Sequence, residues 1–97
     1  MYRTQTENFS VASNINVSVI REVKENGAYY AFVKISLFGM STYGICMLAN
    51  GYAFEIVGDD AENASELFEL VLEQSPAVEH MFDIVTDFRR QKAIEEG

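Results

Sequence analysis

The sequence predicts an α+β domain, in which a four-stranded antiparallel meander sheet is followed by two C-terminal helices packed on one face. Three observations support this fold class. Apolar residues alternate along the first half of the chain, two Asn-Gly pairs interrupt the alternation, and the apolar spacing becomes helical in the second half. The 97 residues correspond to one domain, expected at residues 14–97, after a polar and flexible N-terminal arm at residues 1–13.

The first predicted hairpin alternates at Ile15, Val17, Val19 and Val23, and then at Tyr29, Ala31, Val33, Ile35 and Leu37. A two-residue turn at Asn26-Gly27 would place the valines on the same face as polar residues of the second strand. A three-residue loop that begins one residue earlier pairs Val23 with Tyr29 and Val17 with Ile35 instead. Since this register unites the apolar sets, we predict the three-residue loop.

The second predicted hairpin follows a short link at residues 39–41 and runs from about Thr42 to Val57. Its turn is Asn50-Gly51, and a two-residue turn is expected here. That register places five apolar side chains on one face of the sheet, namely Ile45, Met47, Tyr52, Phe54 and Ile56. The opposite face would then carry Gly44, Cys46 and Glu55.

Two helices are predicted after the strands. In the first, Asp59 or Asp60 can act as the N-cap, and the apolar stripe consists of Ala64, Leu67, Phe68 and Val71. Ser75-Pro76 should end this helix and begin the next, with Ser75 as the cap and Pro76 in the first helical position. The second helix should reach roughly Ile94 and bury Met81, Ile84, Val85 and Phe88.

Composition limits the partners that this chain can be expected to have. The net charge is −8, so a phosphate backbone would be repelled and nucleic-acid binding is not expected. No apolar run approaches transmembrane length, so no membrane contact is expected either. A single cysteine, Cys46, and the lack of a signal-peptide pattern favour a cytoplasmic location.

The residues offer little for catalysis, so no catalytic residue, cofactor or metal is expected, and an enzyme is not the favoured interpretation. His80, Asp83 and Asp87 share one side of the second predicted helix. A metal site needs more ligands, and Arg90 can pair with Asp87, so a solvated helix face is the favoured interpretation. Cys46 is expected in mid-strand as a structural thiol.

Two surfaces suggest protein partners. If Val33 and Ile35 face the helices, the outer sheet face carries Tyr30, Phe32 and Phe38. An aromatic outer face suggests a dimer, a second sheet or a ligand, unless the N-terminal arm covers it with Tyr2 and Phe9. The second surface, on the first helix, is either a solvated face or an acidic docking face for a basic protein, formed by Glu62, Glu66, Glu69 and Glu73.

These features favour a non-enzymatic interaction or regulatory domain that self-associates as a homodimer. The alternative is a small-molecule-binding domain or a minor enzyme. Its pocket would lie between the sheet and the helices near Tyr43, Tyr52 and His80, whose polar-tipped rings could converge there.

Three segments, GAYYAF, STYGICML and SPAVEHMFDIVTDF, resemble a family of small uncharacterised proteins, a domain of unknown function, from Gram-positive, clostridia-like bacteria. The matching residues are Tyr29, Tyr30, Tyr43, Gly44, Ile45, Ser75, Pro76, Asp87 and Phe88. The resemblance covers roughly residues 18–90 and implies a single cytosolic bacterial domain. It brings no activity, cofactor or catalytic residue with it.

Overall fold

The computed structural model describes residues 15–96, with the side chain of the last of these left out. The elements are β1 (Ile15–Glu25), β2 (Ala28–Leu37), β3 (Met40–Leu48), β4 (Tyr52–Gly58), α1 (Ala61–Gln74), a 3₁₀ turn (Val78–His80) and α2 (Met81–Glu96). The four strands pair antiparallel in chain order, and both helices pack on one sheet face. The predicted α+β class is therefore confirmed, whereas the predicted arm at residues 1–13 lies outside the described residues.

The first hairpin has a two-residue turn and not the predicted three-residue loop. Glu25 pairs with Ala28, so the turn consists of Asn26 and Gly27, with φ angles of 51° and 81°. Both angles are left-handed, which is the type I′ arrangement that Asn-Gly favours because it matches the twist of the flanking strands. The predicted partner of Val23 is consequently wrong, since its partner is Tyr30.

A β-bulge at Ile20, and not a longer loop, produces the predicted pairing of Val17 with Ile35. The register of β1 against β2 shifts between Val19 and Arg21, so Ile20 is the extra residue. Before the bulge, Val17 pairs with Ile35 as predicted. Because the extra residue reverses the alternation, β1 presents apolar side chains to one face of the sheet before the bulge and to the other face after it.

The second hairpin has a three-residue loop where two residues were predicted. Leu48 pairs with Tyr52, so the loop consists of residues 49–51. The extra residue places Tyr52, Phe54 and Ile56 on the sheet face opposite Ile45 and Met47. The predicted common face for these residues is therefore wrong.

The hydrophobic core lies between the two helices and one face of the sheet. Phe32 stacks against Phe68 of α1, with ring centroids 5.6 Å apart. The buried residues of the core are Tyr30, Phe32, Ile45, Met47, Val57, Ala64, Leu67, Phe68, Val71, Met81 and Val85. Ile84 and Phe88 pack against them, so the predicted apolar stripes of both helices are confirmed.

Two of the three aromatic residues predicted for the outer face lie in this core. Tyr30 is 2% exposed and Phe32 is 6% exposed, and both contribute to the cluster that the helices cover. Aromatic side chains bury about 150–250 Å² each, so packing them against the helices buries more apolar surface there than the smaller Val33 and Ile35 would. The prediction that Tyr30 and Phe32 point away from the helices is wrong for this reason.

The helix ends are set by Asp60 and Ser75. Asp60 is the N-cap of α1, and its Oδ1 accepts a hydrogen bond of 3.0 Å from the amide of Asn63. Ser75 ends α1 in the left-handed conformation at φ 46°, with its amide donating to the carbonyl of Val71 and its hydroxyl to that of Leu72. The predicted break is confirmed, but Ser75 caps the first helix and not the second.

Pro76 does not occupy a first helical position, contrary to prediction. The next helical turn begins at Val78, after an extended Ala77 that makes no side-chain cap hydrogen bond. The left-handed Ser75 redirects the chain, and residues 75–77 then serve as the connection between the two helical segments.

We expect Asp60→Ala to lower the free energy of unfolding by about 1 kcal/mol, because the hydrogen bond to the Asn63 amide is lost. Asp59→Ala is the matched control, because it removes a neighbouring exposed carboxylate without removing the cap. Urea denaturation followed by circular dichroism measures both variants. Equal losses in the two would contradict the capping role of Asp60.

We also expect Ser75→Gly to be more stable than Ser75→Ala by about 1 kcal/mol, because glycine adopts the left-handed conformation without a Cβ clash. Both variants lose the hydroxyl bond to Leu72, so their difference isolates the backbone conformation. Thermal unfolding should show the glycine variant melting several degrees higher. Identical midpoints would mean that the left-handed conformation of residue 75 does not limit stability.

Candidate functional site

The sheet face that points away from the helices, called the outer face below, is rich in exposed apolar side chains. Residues paired across neighbouring strands lie on the same face, so the register defines its members. Leu37 lies between Ile15 and Met40, and Ile35 lies between Val17 and Thr42. The large apolar residues of this face that are at least 39% exposed are Ile15, Val17, Val19, Leu37, Met40, Leu48, Tyr52 and Ile56.

Charge is distributed unevenly between the two sides of the molecule. The three cross-strand rows that begin at Ile15, Val17 and Val19 contain no charged side chain among the described residues. Eleven of the fifteen acidic residues follow β4 in the sequence. Toward its far end the outer face carries two charged residues, Glu22 and Lys24, and the hydrogen bond to the Glu22 carboxylate raises the pKa of Tyr29. The apolar rows are thus an uncharged surface on an acidic protein.

Gly44 lets an aromatic ring lie across the outer face. A Cβ atom at this position would lie 2.9 Å from Cε1 of Phe54 and 3.2 Å from the carbonyl oxygen of Glu55. Both distances are shorter than van der Waals contact, and the backbone oxygen cannot move without disturbing β4. The absence of a side chain at Gly44 therefore permits the position of the Phe54 ring.

Cys46 lies beside this ring, because it pairs with Phe54 on one side and Ala31 on the other. The expected mid-strand position is confirmed, since β3 extends two residues beyond it. Burial raises the pKa of the Cys46 thiol above its ordinary value. The thiol therefore stays protonated at neutral pH, and a protonated thiol is a poor nucleophile.

The uncharged end of the outer face closes in a turn made by Phe38 and Gly39. Leu37 pairs with Met40, and the two turn residues have φ angles of 51° and 82°. A bulky side chain is uncommon in the left-handed conformation, which costs about 1–2 kcal/mol for an L-residue. Phe38 is 70% exposed, so it is the one member of the predicted aromatic interaction face that reaches solvent.

The predicted acidic docking face is partly neutralised by contacts within the chain. Lys92 Nζ lies 3.1 Å from Glu66 Oε1, and the hydrogen bond between them raises the pKa of Lys92. Arg21 pairs with Glu69 and lies over the ring of Phe68, with its guanidinium carbon 5.4 Å from the ring centroid. Lys92 and Arg21 thus each form an ion pair with a glutamate of α1.

Glu62 and Glu73, the other two members of that face, are exposed. Glu73 lines a groove of about 540 Å³ together with Val23 and Leu70. Docking of a basic protein on this helix stays a prediction, because no observed contact tests it.

The structure does not bring Tyr43, Tyr52 and His80 together. The Tyr43 ring lies 5.9 Å from that of Phe32 on the helix side, whereas Tyr52 lies on the outer face. His80 is exposed at the end of the 3₁₀ turn. The pocket predicted between the sheet and the helices is therefore not formed by these three side chains.

The polar side of α2 is exposed, as the sequence predicted. Asp83 and Asp87 are exposed, and Arg90 Nη1 lies 3.3 Å from Asp87 Oδ1, which confirms the expected ion pair. Within residues 15–96, no group of three His, Cys, Asp or Glu side chains is placed to hold a metal ion.

Sequence reasoning missed most of the outer face because it assigned the wrong length to both turns. Val17 and Val19 were placed on the same face as Val23, which packs against the core. The Asn26-Gly27 pair, taken alone, favours a two-residue type I′ turn and could have indicated the correct register there. No comparable local signal marks the bulge at Ile20.

Comparison with known proteins does not assign this chain to a family. No family model, curated protein or solved structure matches the chain. The resemblance to the family of small proteins from Gram-positive bacteria stays a prediction. None of the helices in the described part of the chain is long and apolar enough to cross a membrane.

We expect Gly44→Ala to lower the free energy of unfolding by about 1–3 kcal/mol, because the added methyl group overlaps the Phe54 ring and a backbone oxygen. Phe54→Leu in the same chain should recover part of the loss, since the smaller side chain can move aside. A double-mutant cycle by urea denaturation measures this coupling. Strict additivity would contradict the contact between the two positions.

Proposed function

We propose that this protein is a non-enzymatic cytoplasmic interaction domain that self-associates as a homodimer through the outer face. The eight exposed apolar side chains on that face carry the proposal. Together they expose on the order of 700 Å², close to the ~800 Å² that one partner contributes to an interface of standard size. Contiguous apolar patches of this size on soluble proteins commonly mark interaction sites.

A second copy of this chain is the partner that the charge distribution favours. Each copy has a net charge of −8, so contacts between acidic helix surfaces would be repulsive. The rows that begin at Ile15, Val17 and Val19 avoid this repulsion because they hold no charged residue. Two such sheets can pack face to face about 10 Å apart, with their side chains interdigitated around a twofold axis.

Two side-chain environments support a role without catalysis. The raised pKa of Cys46 keeps its thiol protonated, and the only histidine is exposed on a helical turn. The single cysteine is also consistent with a reducing compartment such as the cytoplasm. A binding role for the outer face requires neither residue.

Sedimentation velocity across the micromolar concentration range tests the proposal. We expect the wild type to form dimers. Val17→Lys should raise the dimer Kd by about 100-fold, because each of the two copies would bury one lysine charge in the interface. Phe82→Lys is the matched control, since Phe82 and Val17 are both 61% exposed but Phe82 lies on α2. Its dimer Kd should stay within about twofold of the wild type.

Equal weakening by the two lysine variants would show that the outer face is not the interface. A wild type that stays monomeric at every concentration would assign the outer face to another occupant, such as residues 1–14, and would overturn the proposal.

A further inference from the structure

Two turns of this sheet have the same backbone conformation but different residues at their first position. Asn26-Gly27 has φ angles of 51° and 81°, and Phe38-Gly39 has φ angles of 51° and 82°. Each joins neighbouring antiparallel strands through two residues. Asparagine is a preferred residue at this position and phenylalanine is not, because a bulky side chain is strained there. Turn formation therefore does not explain the phenylalanine.

Packing within the domain does not explain it either. Phe38 is 70% exposed and, within residues 15–96, belongs neither to the buried core nor to the residues that pack against it. An asparagine at this position would leave the observed core contacts unchanged. The backbone of Phe38 is thus in a strained conformation while its ring is in contact with water.

The position of the turn connects it with the outer face. Leu37 and Met40 flank the turn and are paired with each other, and Ile15 pairs with Leu37. All three are exposed and belong to the uncharged rows. Phe38 is therefore adjacent to apolar residues at the uncharged end of the outer face, and its own ring is exposed.

We propose that Phe38 is an anchor residue of self-association, and that its ring inserts among apolar side chains of the outer face of a second copy. This inference rests on the proposed function and names the residue that contributes most to it. Strained residues concentrate at functional sites, and aromatic side chains in apolar surroundings dominate many interfaces. A ring with two side-chain torsions also loses little conformational entropy when it is fixed in an interface.

Phe38→Asn tests the anchor role, because it installs the residue that the chain already uses in the equivalent turn. We expect the dimer Kd, measured by sedimentation velocity, to rise at least about tenfold. We expect the thermal unfolding midpoint, measured at a concentration where the wild type is monomeric, to stay equal or to rise by a few degrees. A variant that is at least as stable but dimerises more weakly separates an interface role from a structural one.

Asn26→Phe is the reciprocal control at the matched turn. It should lower the unfolding midpoint while changing the dimer Kd by less than about twofold, because that turn lies outside the three uncharged rows. The anchor role would be overturned if Phe38→Asn had the dimer Kd of the wild type, or if the two variants raised the dimer Kd equally. Either result would leave the proposed function standing. A monomeric wild type would overturn both.

Discussion

The stacking of Phe32 on Phe68 decides which face of the sheet is inside. Their ring centroids are 5.6 Å apart, and Tyr30, Ile45 and Met47 join the same buried cluster. Successive side chains of a strand point to opposite faces of the sheet. Burying these side chains under the helices therefore places the side chains of the neighbouring cross-strand rows on the other face. The apolar outer face follows directly from that choice, since Ile35 and Leu37 can no longer reach the helices.

The bulge at Ile20 lets the edge strand β1 contribute apolar side chains to both faces of the sheet. Before it, β1 follows the outer face and contributes Val17. After it, Val23 packs against the core and Arg21 reaches α1, where it contacts Glu69 and the ring of Phe68. A regular strand would have sent one of these groups to the wrong side, so a single unpaired residue allows β1 to serve both surfaces.

The two sides of the resulting molecule differ in chemistry. The helix side carries most of the acids, some of them paired with Arg21 and Lys92. The outer side is apolar and, around Gly44 and Phe54, tightly packed within the sheet. The proposed self-association uses the uncharged rows of the outer face, where repulsion between two acidic copies is weakest. The exposed Phe38 lies in the turn at the uncharged end of this face.

Local patterns by themselves determined the strands and the two helices, their order, an aspartate cap at residue 59 or 60, the helix break at Ser75 and the buried stripes of both helices. These features depend on spacing and on side chains within one or two turns of each other. Tertiary structure decided the three-residue loop of the second hairpin, the bulge at Ile20 and hence the face on which Tyr30, Phe32 and Tyr52 lie. Both faces of this sheet are apolar, so the alternation alone cannot distinguish them, and a one-residue shift exchanges them. The helices resolve that ambiguity, because they enclose the rings that bury the most surface.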